Sequence, residues 1–415
     1  MKALLHHDHW LSVLKEHEGV SAADFALRYN RKTDWPVKEI AEQLHCYPKA
    51  MKKAGEYHKE GMIYTKTALE QSSGYAASLF KATRWNCTEL PAKHVCVWDM
   101  AGGLGMDTLA WAINGARVLY SEKNPEVCAI AEHNHRIHGV TDRITYRCGD
   151  AMELLKTYSG PKPALLYIDP SRRFEGKRVL SLKESQPDVL SHLPLLTSTG
   201  ARILLKLSPM MDVAQAASEL GGYIQFYVIS VGGEVKELLA YIDPTDTERY
   251  EGADVHAVLL NKSGKVLYET RATPASRVPS GPLKRFFYEA DAAIFKAGGI
   301  DALAETFNLH RLHASVGYLT GDTGKKNFPG NVYEVIDAMP YKPKKVKQWL
   351  KYNGLDRVHI HQRGFPEPVD TLYKRLGCSM GEDAHLFATL DSAGEWTIIL
   401  TKQAEKNLSS FSDVS

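Results

Sequence analysis

The sequence predicts an α/β fold: a largely parallel sheet with helices on both faces, preceded by a helical N-terminal region and followed by an α+β module. Three observations predict it. Strand-length apolar runs (HVCVWDM, ARVLYSE, RITYRCGD, PALLYIDP and ARILLKLSP) alternate with helix-length segments such as NPEVCAIAEHNHRIHG. That alternation is the pattern of a parallel sheet. Carboxylates follow successive runs at Asp99, Glu122, Asp150 and Asp169, where parallel sheets bind their ligands. The texture then changes on both sides of this central stretch.

Composition bounds the answer. Of 415 residues, 44% are hydrophobic and 24% charged, ordinary values for a globular chain. No apolar stretch approaches the roughly 20 residues of a membrane span, and the first residues lack a signal-peptide pattern. None of the six cysteines forms a CxxC pair, so neither a zinc knuckle nor a disulfide framework is expected. We therefore expect a cytoplasmic protein with no membrane partner and no metal. Net charge is +2, so nucleic-acid binding would need a local basic patch.

Residues 1–90 read as helical. VKEIAEQLHCYPKAMKKA places Ile40, Leu44, Tyr47 and Met51 at helical spacing, with Asp34-Trp35-Pro36 as its start. Residues 91–274 form the sheet domain. Its late runs GGYIQFYVISV, KELLAYID and HAVLLNKSGKVLYE lack intervening helices and read as antiparallel additions at one edge. The connector PASRVPSGP opens a small ferredoxin-like or linker segment, 275–325. Residues 326–415 form the α+β module.

In VWDMAGGLGMDTLAWA, Gly103 and Gly105 lie four and six residues after Asp99. Such a turn lets backbone approach a bulky ligand, with Ala101 in the turn and a helix Met106–Ile113 aimed at it. A dinucleotide turn needs GxGxxG, but Asp107 takes the place of the third glycine. A carboxylate there repels a pyrophosphate and suits S-adenosylmethionine, which carries a sulfonium and an ammonium. The DxxxGxG spacing resembles that of class I methyltransferases. Glu122 would accept ribose hydroxyls in either cofactor class. Asp150, with Ala151, stands where class I methyltransferases receive the adenine amino group; it is also a ready N-cap for AMELLKTY. Gln71 and Ser72, in YTKTALEQSSG, belong to a segment that related methyltransferases fold over the cofactor.

Asp169-Pro170-Ser171-Arg172-Arg173 resembles the [DN]PP[YFW] motif of nucleic-acid amino-methyltransferases, whose acidic or amide oxygen holds the target N–H. The chain keeps Asp-Pro and then departs, with Ser171 for the second proline and arginines for the aromatic. We expect catalysis from Asp169, Pro170, Ser171 and Arg172. Arg173 would grip phosphates or a guanine edge; surface pairing with Glu175 or Glu184 is the alternative. No cysteine lies near the fourth or fifth strand end, which argues for a nitrogen acceptor over a pyrimidine carbon. Lys206, Glu234 and Lys236 are candidates for the acceptor side, with paired surface charges as the competing reading.

In order, DMAGGLGMDT, YSEKNPE, CGDAME, IDPSRR, KLSP and VGGEVKEL, then YEADAAIFKAG, HASVGYLTGD and NFPGNVYEV, resemble a bacterial group of class I S-adenosylmethionine-dependent methyltransferases. Members carry a C-terminal THUMP-like domain, and the resemblance spans about residues 64 to 403. It implies a Rossmann-like sheet, a THUMP-like domain over 326–415 and RNA, tRNA or rRNA, as partner. Residues 342–363 fit that partner. Lys344, Lys345 and Lys347 sit in a basic stripe with Lys342, Lys351, Arg357 and Arg363, interleaved with Tyr341, Trp349 and Tyr352. The other reading is a solvated amphipathic helix with Val346, Trp349 and Leu350 inward. The expected function is methylation of a base nitrogen in RNA. Alternatives are a small-molecule or protein methyltransferase, and a non-catalytic RNA-binding protein of the same fold; an NAD dehydrogenase is a minor option.

Overall fold

The computed structural model describes the chain except residues 1, 8, 31–32, 87–94, 171–172, 175–176, 179–180, 186, 223, 247–252, 273–276 and 406–415. Two compact units emerge. One comprises Met1–Tyr227, Lys236–Ala253 and Lys262–Lys265; the other comprises Val228–Val235, Asp254–Asn261 and Val266–Ser415.

The first unit is built on β1 (Val97–Asp99), β2 (Val118–Glu122), β3 (Ile144–Cys148), β4 (Leu165–Ile168) and β5 (Arg202–Leu207). They lie in the order β3-β2-β1-β4-β5 and all run parallel. Every residue of β1 and β4 is buried, as expected for strands covered on both faces. β6 (Glu234–Ile242) runs antiparallel beside β5, as its helix-free sequence predicts. β1 sits between β2 and β4, so the chain reverses its winding there. The crevice at the carboxyl ends of these strands is where such sheets take ligands.

The N-terminal region docks through two buried amides. Gln43, on the helix Val37–Ala54, donates to Tyr64 O at 2.7 Å and accepts from Tyr64 N at 2.9 Å. Asn134, on the helix Pro125–Ile137, treats Ile63 the same way, at 2.9 and 2.8 Å. Two side chains thus satisfy an extended segment that has no strand partner there. The inward face of the helix Val37–Ala54 includes Gln43. Ile40, Gln43, Cys46, Ala50 and Ala54 face inward, while Met51, expected inward, is 57% exposed. The helix begins at Val37 with Pro36 as an uncapped N-cap.

The predicted helix Met106–Ile113 forms with those bounds. Gly105 caps it in the left-handed region at φ +73°. A Cβ there would lie 2.4 Å from His135 Nε2, which donates to Gly105 O at 2.9 Å. Nδ1 of the same ring then accepts from Tyr146 Oη at 3.0 Å. Burial holds this imidazole's pKa down at about 4, which keeps it neutral for both bonds.

The second unit contains the hairpin β7 (Asp254–Leu260) and β8 (Val266–Arg271). Its main sheet comprises β9 (Phe286–Ala290), β10 (His310–Arg311), β11 (Tyr318–Gly321), β12 (Gly330–Pro340), β13 (Arg357–Gln362), β14 (Ser379–Leu390) and β15 (Trp396–Glu405). The order is β10-β11-β9-β12-β15-β14-β13. Residues 286–321 therefore share one sheet with the C-terminal strands. The helices Pro343–Tyr352 and Val369–Leu376 cover one face, burying Val346, Leu350, Leu372 and Leu376 against Val358, Ile360, Leu386 and Leu400. An aromatic cluster of Phe287, Tyr318, Tyr333 and Phe387 forms elsewhere in the unit.

Gly105→Ala should destabilise the first unit by about 1–3 kcal/mol, from left-handed strain and the displaced His135. Chemical denaturation of the variant beside its parent checks this; equal midpoints would refute it.

Candidate active site

A cavity of about 790 Å³ opens at the carboxyl ends of β1 to β4, within the size range of cofactor pockets. Asp99, Ala101, Gly103, Asp107, Glu122, Asp150, Ala151, Gln71 and Ser72 all border it, as do Asp169 and Pro170. Gly105 does not; its role is the helix cap. Ser171 and Arg172 lie outside the described residues. Arg173 pairs with Arg178 in a two-residue ladder, and its side chain is likewise outside the description.

The carboxylates are held in different ways. Glu122 accepts from the amides of Gly103 (3.0 Å) and Asn124 (2.8 Å), which fixes it at the glycine turn. Gly103 has φ +53° and no atom within 4 Å of where a Cβ would stand. Asp150 accepts from Met152 N at 2.9 Å as the helix N-cap and also borders the cavity. Asp99 is 1% exposed. Its Oδ2 accepts from Thr108 Oγ1 at 2.6 Å, and its buried Oδ1 has no hydrogen-bond partner among the described residues. Burial raises its pKa to about 7, and the Thr108 bond only partly offsets this. A cationic ligand group beside Oδ1 would restore the charged form. An acid of this kind fits the ammonium of an amino-acid-bearing cofactor.

Asp107 departs from expectation. It is 7% exposed and does not present a bare charge at the turn. Lys81 Nζ lies 3.0 Å from its Oδ1, and Ser73 Oγ (2.8 Å) and Tyr167 Oη (2.7 Å) donate to its Oδ2. Burial alone would raise its pKa; Lys81 and then Lys206 overcome this and lower it to about 2. Lys81, whose side chain is fully buried, also donates to Glu237 Oε2 at 2.7 Å and Ser73 Oγ at 2.8 Å. Burial works against its charge, and the two carboxylates outweigh burial, so its pKa rises.

The network continues to the end of β4. Lys206 is 3% exposed and sits 2.5 Å from Asp169 Oδ2 and 3.9 Å from Glu237 Oε1. Its Nζ also reaches Gln71 O at 3.5 Å. Lys53, from the N-terminal helix, donates to Leu69 O (2.8 Å) and Glu70 O (2.9 Å). Burial and then Lys206 lower its pKa to about 8. The cavity-lining segment around Gln71 is thus fastened by cations from two sides. Strand register explains the assembly. Asp99 pairs with Tyr167, Tyr167 with Leu204, and Lys206 with Leu239. Alternation therefore puts Asp99, Tyr167, Lys206 and Glu237 on one sheet face.

Glu234 and Lys236 are exposed on β6 and do not border the cavity; burial begins at Glu237. Lys206 is not a free acceptor-side cation but half of a buried pair. Sequence reasoning missed Lys81, Glu237, Ser73, Tyr167 and Lys53. The available signal was a lone charge inside an apolar run, Lys81 in YAASLFKATR and Glu237 in KELLAYI. In the second unit, Lys344, Lys345 and Lys347 are exposed on a helix whose Val346 and Leu350 are buried. The stripe is therefore both solvated and amphipathic. Among the described residues no His, Cys, Asp or Glu cluster could hold a metal, and no helix is long and apolar enough to cross a membrane.

Asp99 gives a signed pH dependence. Its raised pKa means that the stability it contributes is complete below the unfolded value of 3.8 and is lost as pH rises to about 7. Asp99→Asn escapes that loss. Without cofactor, its melting temperature should exceed the parent's by a margin that widens from pH 4 to 7 and then levels off. A margin independent of pH would contradict the buried, unpaired carboxyl.

Comparison with known proteins agrees with this geometry. Residues 94–170 match the family of RNA cap guanine-N2 methyltransferases, and residues 330–403 match the THUMP domain-like family. An uncharacterised S-adenosylmethionine-dependent methyltransferase of Mycobacterium tuberculosis is 24% identical over 317 residues, 76% of this chain and 80% of that protein. A ribosomal RNA small subunit methyltransferase J of Dechloromonas aromatica is 28% identical over 95 residues, 21% of this chain and 39% of that protein. The crystal structure of a predicted methyltransferase from Porphyromonas gingivalis W83 superposes with a TM-score of 0.76 at 25% identity, covering 97% of this chain and 99% of that one. With the acidic strand ends and the glycine turn in place, the chain is a class I S-adenosylmethionine-dependent methyltransferase with a THUMP-like domain at its C-terminus.

Proposed function

We propose that this methyltransferase modifies a base nitrogen in RNA, tRNA or rRNA, with the acceptor lying against Asp169 and Pro170. The observation that carries the reading is the Asp169 carboxylate, fixed at the end of β4 on the wall of the cavity that Asp99 and Glu122 also border. Asp99 would hold the ammonium of the cofactor, Glu122 its ribose and Asp150 its adenine. Bound S-adenosylmethionine supplies a methyl group activated by a sulfonium. The acceptor nitrogen's lone pair would take that methyl, and the methyl–sulfur electron pair would stay on sulfur. The nitrogen then releases a proton to water. Asp169 accepts the acceptor's N–H and aligns its lone pair, and alignment supplies most of the acceleration in such a displacement.

RNA as the acceptor is supported by the THUMP-like match, by the two RNA-methyltransferase likenesses and by the exposed lysines of the helix Pro343–Tyr352. Ser171, Arg172 and Arg173 follow Asp169-Pro170 in sequence, and two adjacent arginines there suit phosphates or a guanine edge. The direct test is transfer of labelled methyl to total RNA from a strain lacking the gene, followed by nucleoside mass spectrometry. Label should enter an N-methylated nucleoside and fall at least about a hundredfold in Asp169→Ala. Label confined to RNase-resistant material would place the acceptor among proteins or small molecules instead.

Replacing Lys344, Lys345 and Lys347 together with alanine should weaken RNA binding without changing cofactor affinity. The slope of log K against log salt should fall by about 2, as expected for three lost phosphate contacts on single-stranded RNA. Filter binding at several salt concentrations measures it; an unchanged slope removes these lysines from the RNA interface.

A further inference from the structure

We propose that Lys206 is a positioning residue for methyl transfer: its ammonium, braced by Glu237, fixes the Asp169 carboxylate and restricts the acceptor to a weakly basic, uncharged nitrogen such as a nucleobase amine. The inference deepens the function proposed above and rests on its placement of Asp169 beside the acceptor.

The geometry is that of a preset clamp. Lys206 reaches from β5 to the end of β4 and is 3% exposed, with Asp169 Oδ2 at 2.5 Å. Glu237, the second carboxylate on Lys206 at 3.9 Å, is itself anchored by Lys81 at 2.7 Å. Burial would raise the Glu237 pKa, but Lys81 and Lys206 overcome this and lower it, which keeps the brace charged. Lys206 is therefore held from both sides before any substrate arrives. Removing the ammonium would leave Asp169 with one anchor fewer at the cavity wall.

The charge pairing selects the acceptor. Alkylamines such as lysine side chains and polyamines are protonated at neutral pH, with pKa values near about 10. They need a site that attracts a cation and a base that removes its proton before the lone pair can attack. An aspartate whose charge is already matched by Lys206 offers neither. An aromatic amine keeps its lone pair at neutral pH and needs only its N–H oriented. After the methyl is gained and sulfur keeps the electron pair, the methylated amine is acidic and sheds its extra proton to water.

The test uses the full chain with S-[methyl-³H]adenosylmethionine and three acceptors in parallel: total RNA from a strain lacking the gene, the protein fraction of that strain, and spermidine. Lys206→Gln, Lys206→Arg, Asp169→Ala and the double variant Asp169→Ala/Lys206→Gln are compared. Label should enter RNA alone. Lys206→Gln should lower kcat roughly tenfold or more with KM for S-adenosylmethionine changed less than about twofold, and Lys206→Arg should recover most of the loss. The double variant should be no slower than Asp169→Ala, because the ammonium acts through that carboxylate. Melting temperature and S-adenosylhomocysteine affinity report folding; if Lys206→Gln fails to fold, Lys206→Arg and the acceptor comparison decide.

Label on spermidine or protein lysines, normal kcat in Lys206→Gln, or losses that multiply in the double variant would each overturn the inference. Full activity of Asp169→Ala on RNA would instead refute the placement of Asp169. No label in any acceptor removes both.

Discussion

The ammonium of Lys81 is the interaction on which the catalytic end of the sheet depends. It is fully buried, and a lone ammonium in that position would be driven to lose its proton. Asp107 at 3.0 Å and Glu237 at 2.7 Å hold it charged. Each is equally dependent on it, because a buried carboxylate without its cation costs several kcal/mol. The three groups come from three places: the helix Tyr75–Arg84, the helix after the glycine turn, and the antiparallel strand β6 inside the sheet. A single cation therefore ties the N-terminal region, the cofactor turn and the antiparallel strand β6 into one charged core. Removing it would uncover two acids at once.

From that core the site is built outward along one sheet face. Tyr167 spends its hydroxyl on Asp107, and Glu237 braces Lys206, which in turn holds Asp169. Asp99 stands at the other extreme of polarity. Among the described residues one of its oxygens has no hydrogen-bond partner, and burial raises its pKa to about 7. One group of carboxylates is thus satisfied in advance and rigid, while another is left to be satisfied by a ligand. That division suits a displacement reaction, whose acceleration comes from holding two partners in line.

The N-terminal region is a working part of this arrangement. Gln43 and Asn134 clasp the extended stretch at Ile63 and Tyr64 from two helices. The chain then enters the segment that borders the cavity at Gln71, Ser72 and Ser73. Lys53 holds that segment by its backbone carbonyls, and Ser73 joins it to Asp107. The wall over the pocket is therefore set by contacts made well before the sheet begins in sequence.

The sequence by itself determined the parallel sheet, its strand-end carboxylates, the glycine turn and the helix Met106–Ile113. Each follows from a local pattern: period, spacing, or a residue whose backbone freedom is needed where it stands. It also pointed to Asp107, Lys206 and the strand carrying Glu237, but assigned the charge to Glu234 and Lys236. It turned Met51 inward, whereas the buried face runs through Gln43, Cys46, Ala50 and Ala54 and leaves Met51 exposed. Only the tertiary structure decided which charges meet. Lys81 and Glu237 are 156 residues apart, and nothing local distinguishes a lysine that will be solvated from one that will be buried between two acids. Strand register and helix docking bring them together, and those depend on the whole core. So the sequence showed where ligand-facing groups would line up, and the fold decided which of them were neutralised and which stayed open to a ligand.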